Sequence, residues 1–271
     1  GIFRALRTIP VLKDFTDDMA EVCPNAYFLN YTNPMAQLAG YLGRYTPIKS
    51  VGLCHSVQGC SRNLLKDLGI EYKEPLRESI AGINHMGWLL ELEDADGNDL
   101  YPEIRERAIA ILESGKTDHH DLVRYEYIRR LGYYCTESSE HNAEYNNFFI
   151  KAKYPELIER YNIPLDEYPR RCINQIENWK KDREKYMHDD VTHTRTTEYA
   201  SYIMEAIVTD IPYKIGGNVI NNGLIPNLPA EACVEVACLV NKNGIQPCAQ
   251  KPLPLQLAAM NSAMIGVQLL T

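Results

Sequence analysis

Two strand–turn–helix units follow one another directly near the start of the chain, and no other feature restricts the fold as much. Ala26 to Asn30 reads as a short buried strand, closed by Asn30-Tyr-Thr-Asn-Pro34. Asn33 precedes a proline and is pushed out of the α region, whereas Pro34 suits the first position of a helix running on to Tyr45. Ser50 to Leu53 is a second apolar lead of β type. It runs straight into Cys54-His55-Ser56, and a helical pattern resumes from Gln58 to Leu68. Two units of this length predict a parallel sheet with right-handed crossovers, and so the α/β class. A helical stripe at Ile9, Leu12, Phe15, Met19 and Val22, ending at Pro24, precedes them.

After Gly69 the pattern changes. Ile80 to Asn84 and Trp88 to Glu93, joined at Gly87 and followed by the Asp96-Gly97-Asn98 turn, predict an antiparallel pair. A long, charged, helical region then spans roughly 102–208, broken at Gly115, Gly132, Pro155, Pro164 and Pro169. β character returns from Gly216 to Leu224 and from Cys233 to Val240, and Leu255 to Leu270 is a last apolar helix. The chain therefore reads as a partial Rossmann-like parallel sheet, residues 1–75, followed by a mixed α+β part, residues 76–271. A sheet that binds a dinucleotide needs a Gly-rich turn after its first strand, and neither Gly40 to Gly43 nor Gly216-Gly217 supplies one. If residues 1–75 are the second half of such a domain, its first half is expected upstream of Gly1.

With 45% hydrophobic and 24% charged residues, the balance is that of an ordinary globular protein with a sizeable core. A net charge of -8 argues against nucleic acid as a partner, because phosphate binding needs a basic face that the sequence does not offer. The Lys/Arg clusters at Arg129-Arg130, Arg170-Arg171 and Lys180 to Lys185 are interleaved with acids at helical spacing and read as solvated helix faces. Eight cysteines without a CxxC pair fit thiols kept reduced, so a cytoplasmic protein is expected. No run of roughly 18 apolar residues offers a membrane span. The first residues lack a signal peptide's apolar stretch, and the missing initiator methionine points to a trimmed or partial chain.

The residues with chemistry cluster at the ends of the β-like runs. Cys54 and His55 end one strand, and Asn84-His85 ends another about thirty residues later. Side chains at the carboxyl ends of such strands point into the crevice where open α/β sheets bind ligands. One thiolate and one imidazole, with positions left open, describe a catalytic metal site more than a closed structural one. Each also has an ordinary reading, a buried thiol beside a turn histidine and a satisfied core histidine, and spacing alone leaves both readings open. Thr136 to Tyr145 is dense in proton-accepting groups: Glu137, Glu140, His141, Glu144 and Tyr145. The same stretch suits a capped helix start at Ser138 or Ser139, and Arg195-Thr-Thr-Glu198 suits another.

Six blocks taken together resemble glycoside hydrolase family 4, most closely its α-galactosidase (melibiase) branch. They are Asn30-Tyr-Thr-Asn-Pro-Met35, Gly52-Leu-Cys-His-Ser-Val-Gln58, Ala81-Gly-Ile-Asn-His-Met86, Thr136-Glu-Ser-Ser-Glu-His141, Glu198-Tyr-Ala-Ser201 and Asn227-Leu-Pro-Ala-Glu-Ala-Cys-Val-Glu235. They span nearly the whole chain in the family's order, and the Cys-His-Ser-Val form is that of the α-galactosidase branch. The resemblance implies NAD and a divalent metal, usually Mn2+, and bond cleavage by oxidation, elimination, addition and reduction in place of the two-carboxylate route. Oxidising the sugar C3 hydroxyl makes the C2 proton acidic, and a metal on the C2 and C3 oxygens stabilises the enolate.

By this resemblance Cys54 and His85 are the metal ligands, and His55 protonates the leaving group. Asn33 contacts the sugar, Asn30 faces the cofactor or the sugar, and the C2 base lies within Glu137 to Tyr145, with Tyr145 and His141 first. Arg195 resembles a substrate-binding arginine, although the melibiase branch places its Arg immediately before the Glu, where this chain has Thr197. The implied substrate is a small α-galactoside, with α-glucosides or α-galacturonides as alternatives inside the family. A 2-hydroxy-acid dehydrogenase is the alternative outside it. Residues 76–271 are then the substrate and metal domain, short of the family's last helices. Without the nucleotide-binding half the chain alone is expected to be inactive. Apolar surface left over at the final helix and the sheet suggests a homo-oligomer, a dimer or tetramer.

Overall fold

A computed structural model describes residues 1–189 and 192–271. The chain opens with α1 (Ile2–Val22), β1 (Tyr27–Asn30), α2 (Met35–Tyr45), β2 (Lys49–Leu53), the single turn α3 (His55–Gln58) and α4 (Cys60–Leu68). The hairpin β3 (Arg77–Ile83) and β4 (Met86–Glu93) follows, then α5 (Tyr101–Glu113), α6 (Leu122–Leu131), β5 (Tyr134–Cys135), α7 (Ser139–Glu144), α8 (Glu156–Arg160), α9 (Glu167–His188) and α10 (Ala200–Thr209). β6 (Tyr213–Ile220), β7 (Cys233–Asn241), β8 (Gly244–Pro247) and α11 (Leu255–Leu270) complete it. The two strand–turn–helix units are present, the second helix being divided at Gly59.

β1 and β2 are parallel, with Asn30 opposite Gly52. α2 packs directly on β2 because Gly52 carries no side chain. A Cβ there would stand 2.5 Å from Met35 Sδ and 2.8 Å from Asn218 Cβ. Beyond this pair the sheet departs from the parallel expectation. The outer neighbour of β2 is β6, antiparallel, and among the described residues one sheet of eight strands runs in the order β1-β2-β6-β7-β3-β4-β5, with β8 on the far end of β7. The reason lies in β7, whose residues Cys233 to Val236 are all buried. A strand apolar on both faces takes a central place, and its hairpin partner β6 then lies between it and β2. Strands from either side of residue 75 thus share one sheet and one core, in which Val51, Leu53, Ile83, Trp88, Val234 and Ile265 meet.

The β3–β4 pairing is antiparallel as expected, but its turn is Asn84-His85. Gly87 is already paired opposite Gly82. Arg130, Arg170, Arg171 and Lys180 to Lys185 lie on solvated helix faces as expected, whereas Arg129 is half-buried and shares the buried Glu126 with Arg130. The stripe of α1 is a second difference: Leu12 is buried, yet Phe15 and Val22 are 54% and 76% exposed. α2 and Phe28 of β1 pack against this helix, so one edge of the stripe is covered. Among the described residues no helix is long and apolar enough to cross a membrane.

Candidate metal centre

Three segments bring one donor each to the same point. Cys54 follows the last residue of β2, His85 forms the β3–β4 turn, and Glu137 follows β5. The thiol, the imidazole and a carboxylate oxygen lie within 4.8 Å of one another, with His85 Nε2 3.3 Å from Glu137 Oε2. His85 and Glu137 are both held at positive φ, 63° and 67°, a region that residues with a Cβ seldom occupy and that clusters at functional sites. Burial pushes the Cys54 thiol up, the charge of Glu235 adds to this, and hydrogen bonds from Ser56 and Asn84 act the other way. Burial lowers His85, against the pull of Glu137. The imidazole is therefore neutral and available as a ligand. A divalent cation would stabilise the thiolate that burial disfavours, so a sulfur, nitrogen and oxygen set with open positions fits a catalytic metal.

His85 opens onto a cleft of about 1070 Å³, lined also by Tyr31, Asn33, His141, Tyr145 and Tyr168 of α9, with Cys54 and Glu137 behind its wall. Tyr145 Oη is 3.3 Å from His85 Nδ1, and burial together with the charge of Glu137 holds this phenol up at about 12. The His141 ring meets His85 edge-on at 5.3 Å. Ser138 is the N-cap of α7, accepting from His141 N, and its Oγ is also 3.0 Å from His141 Nδ1. The capped helix start and the cluster of proton-accepting groups are one and the same feature.

The other sequence candidates are distributed unequally. Asn33 is at the cleft wall, its Oδ1 accepting from Met35 N at 3.2 Å. Asn30 is buried inside its own turn, accepting from Thr32 N at 3.1 Å and donating to Thr32 O at 3.2 Å, and it is not part of the wall. His55 stands one ring behind the cleft, stacked on Tyr31 at 5.4 Å, with Nε2 2.8 Å from Glu198 Oε2. Tyr31 donates to the same carboxylate, and these two hydrogen bonds hold Glu198 below its usual range. Arg195 is away from the cleft, paired with Glu205 at 2.6 Å and lying 3.6 Å over the Tyr202 ring.

Three groups escaped the sequence reading of the site. Glu137 was visible only as one acid among several, and nothing singled it out as a metal donor. Glu198 was visible only as part of a block. Glu235 is buried in β7 with burial holding its carboxyl up at about 7, against hydrogen bonds from Asn218 and Asn84. A glutamate inside the run Cys-Val-Glu-Val-Ala is the signal that would have found it, because an unpaired acid in a doubly buried strand is costly.

Residues 1–70 match the family model described as family 4 glycosyl hydrolase, and residues 80–271 match the one described as its C-terminal domain. The chain is 58% identical over its whole length to an α-galactosidase of Bacillus subtilis, and 32% identical over 99% of its length to an α-galactosidase of Rhizobium meliloti. It spans 62% and 56% of those two proteins. Among solved structures, lplD from Bacillus subtilis superposes with a TM-score of 0.85 at 24% identity, over 99% of this chain and 65% of that one. A 6-phospho-α-glucosidase from gut microorganisms, in complex with NAD and Mn2+, superposes with a TM-score of 0.73 at 21% identity, over 98% and 62%. At these identities the structures speak for the fold, whereas the family models and the first relative speak for descent: the chain belongs to the family 4 glycosyl hydrolases.

Proposed function

We propose that the chain carries the metal- and sugar-binding part of an α-galactosidase that uses NAD and a divalent cation, Mn2+ by preference, on small melibiose-type galactosides. The observation that carries this reading is the convergence of Cys54, His85 and Glu137 within 4.8 Å beside a cleft of sugar-binding size. The 58% identity to an α-galactosidase supports the galacto-specificity over the α-glucosidase and α-galacturonidase alternatives. When bound, NAD takes up and returns a hydride while the cation acts as a Lewis acid on the sugar oxygens.

The chain's own residues then divide the work. Cys54, His85 and Glu137 would hold the cation. Tyr145, with its hydroxyl against His85, would receive the C2 proton once ionised, a form that a cation held by the neighbouring His85 would favour, and His141 is the second candidate. His55, oriented by Glu198, would deliver a proton to the departing glycosidic oxygen once the Tyr31 ring stacked on it turns aside. Asn33 orients a sugar hydroxyl. Asn30 serves the site by shaping the turn that carries Asn33, and a role for Arg195 requires its ion pair with Glu205 to open. The division near residue 75 into a nucleotide-binding part and a substrate and metal part is kept as a proposal about descent, with Asn33, Cys54 and His55 of the first part serving the sugar and metal site. A cytoplasmic location is part of the proposal, on eight cysteines without a CxxC pair.

Binding of methyl α-galactoside and methyl α-glucoside to the Mn2+-loaded chain, followed by ligand-observed NMR, tests the specificity. Selective, Mn2+-dependent binding of the galactoside is expected. Equal binding of both sugars, or binding indifferent to Mn2+, contradicts it.

A further inference from the structure

Glu235 sits at the centre of a rung that crosses four strands. Its Cα is opposite Gly82 of β3 on one side and Asn218 of β6 on the other, and Asn218 is in turn opposite Gly52 of β2. Cys54 lies two residues beyond Gly52, and His85 three residues beyond Gly82. The carboxyl makes the same connections through side chains. Oε1 accepts from Asn218 Nδ2 at 2.9 Å and from Asn84 Nδ2 at 3.5 Å, and Asn218 Nδ2 also donates to Gly52 O at 3.3 Å. Oε2 has no hydrogen-bond partner and faces Gly87, where an added Cβ would stand 3.3 Å from it and 3.1 Å from Thr136 Oγ1. Thr136 precedes Glu137. One carboxyl, 1% exposed, thus lies beneath all three segments that bear the metal donors, and no lysine or arginine pairs with it among the described residues.

A buried acid with an unmet oxygen is expensive to keep, and an apolar side chain of similar volume would fill the space at least as well. We propose that Glu235 is a positioning residue of the metal centre, its carboxyl fastening Asn84 and Asn218 so that Cys54, His85 and Glu137 keep the spacing a cation requires. It touches neither sugar nor the donor atoms, and it acts through the strand ends. Gly87 gives the carboxyl room that a side chain there would fill. This inference rests on the metal-binding reading above.

The test uses Mn2+ alone, titrated into the 271-residue chain and followed by the EPR signal of free Mn2+, with circular dichroism melts on the same samples. Glu235→Gln keeps an acceptor oxygen and should bind nearly as the parent does. Glu235→Leu, which fills the space without accepting, should weaken binding by roughly 10- to 100-fold, the usual effect of losing an outer-sphere partner. Asn218→Ala, which leaves the carboxyl in place and cuts its shorter bond, covers the case in which the leucine variant does not fold and should also weaken binding. If the parent chain takes up no Mn2+, the metal reading itself fails and this inference with it. If the parent binds while Glu235→Leu and Asn218→Ala bind equally well and only melt earlier, Glu235 is a packing residue and the inference is wrong. Glu235→Gln losing as much as Glu235→Leu would overturn the hydrogen-bond account.

Discussion

Asn261, on α11, accepts from Trp88 Nε1 at 2.7 Å and donates to Met86 O at 3.0 Å, all inside the core. Met86 follows His85, so the last helix is tied to the turn that presents the proposed metal donor. Asn261→Leu would leave a buried donor and a buried acceptor unmet, and urea denaturation should show a loss of about 2 to 4 kcal/mol. Glu235 gives a pH-dependent counterpart. Its carboxyl titrates near 7 when folded and in the ordinary glutamate range when unfolded, so the folded state holds the proton longer. Its contribution is fully present below the unfolded value and is lost as pH rises toward 7, by on the order of 3 kcal/mol. Glu235→Gln should therefore match the metal-free parent at pH 4 and exceed it at pH 8 in parallel urea titrations. At this scale Cys54 and His85 were legible because both end β-like runs. Asn30 read as a ligand-facing group, but a short polar side chain can satisfy its own turn, which is what its bonds to Thr32 do.

Gly52 sets the distance between α2 and β2, and with it the position of Cys54. Gly52→Ala would drive a methyl into Met35 Sδ, which can move, and into Asn218 Cβ, which cannot move without β6. A cost of about 1 to 3 kcal/mol in thermal melts is expected, with weaker Mn2+ uptake because the strand end shifts. Elements themselves were largely readable: α11 was expected over Leu255 to Leu270 and is found there, and the two early units follow the residues that Pro34 and Leu53 mark. The order of the sheet was not. Local pattern predicts partners near in sequence, whereas β2 pairs with Asn218 and Gly217, over 160 residues away. That choice is made by the both-face burial of β7, a property of the whole core. β8 was missed because it is four residues long and mostly exposed.

Apolar surface is concentrated on two helices. α9 has no buried residue, yet it presents Ile173, Ile176 and Trp179 at 62%, 59% and 58% exposure, and α1 presents Phe3 and Phe15. Such faces mark association surfaces, so a homo-oligomer is proposed. Light scattering should give a multiple of 30.9 kDa, and Trp179→Glu should lower the mass without lowering the melting temperature. A chain that stays at the single-chain mass would contradict this. The central claim concerns the meeting of three distant segments on one ion. X-ray absorption at the manganese edge of the Mn2+-loaded chain tests it most directly. One sulfur and one imidazole are predicted in the ion's first coordination sphere, the sulfur vanishing in Cys54→Ser and the imidazole in His85→Ala. A sphere of oxygens alone, unchanged in both variants, would contradict the account.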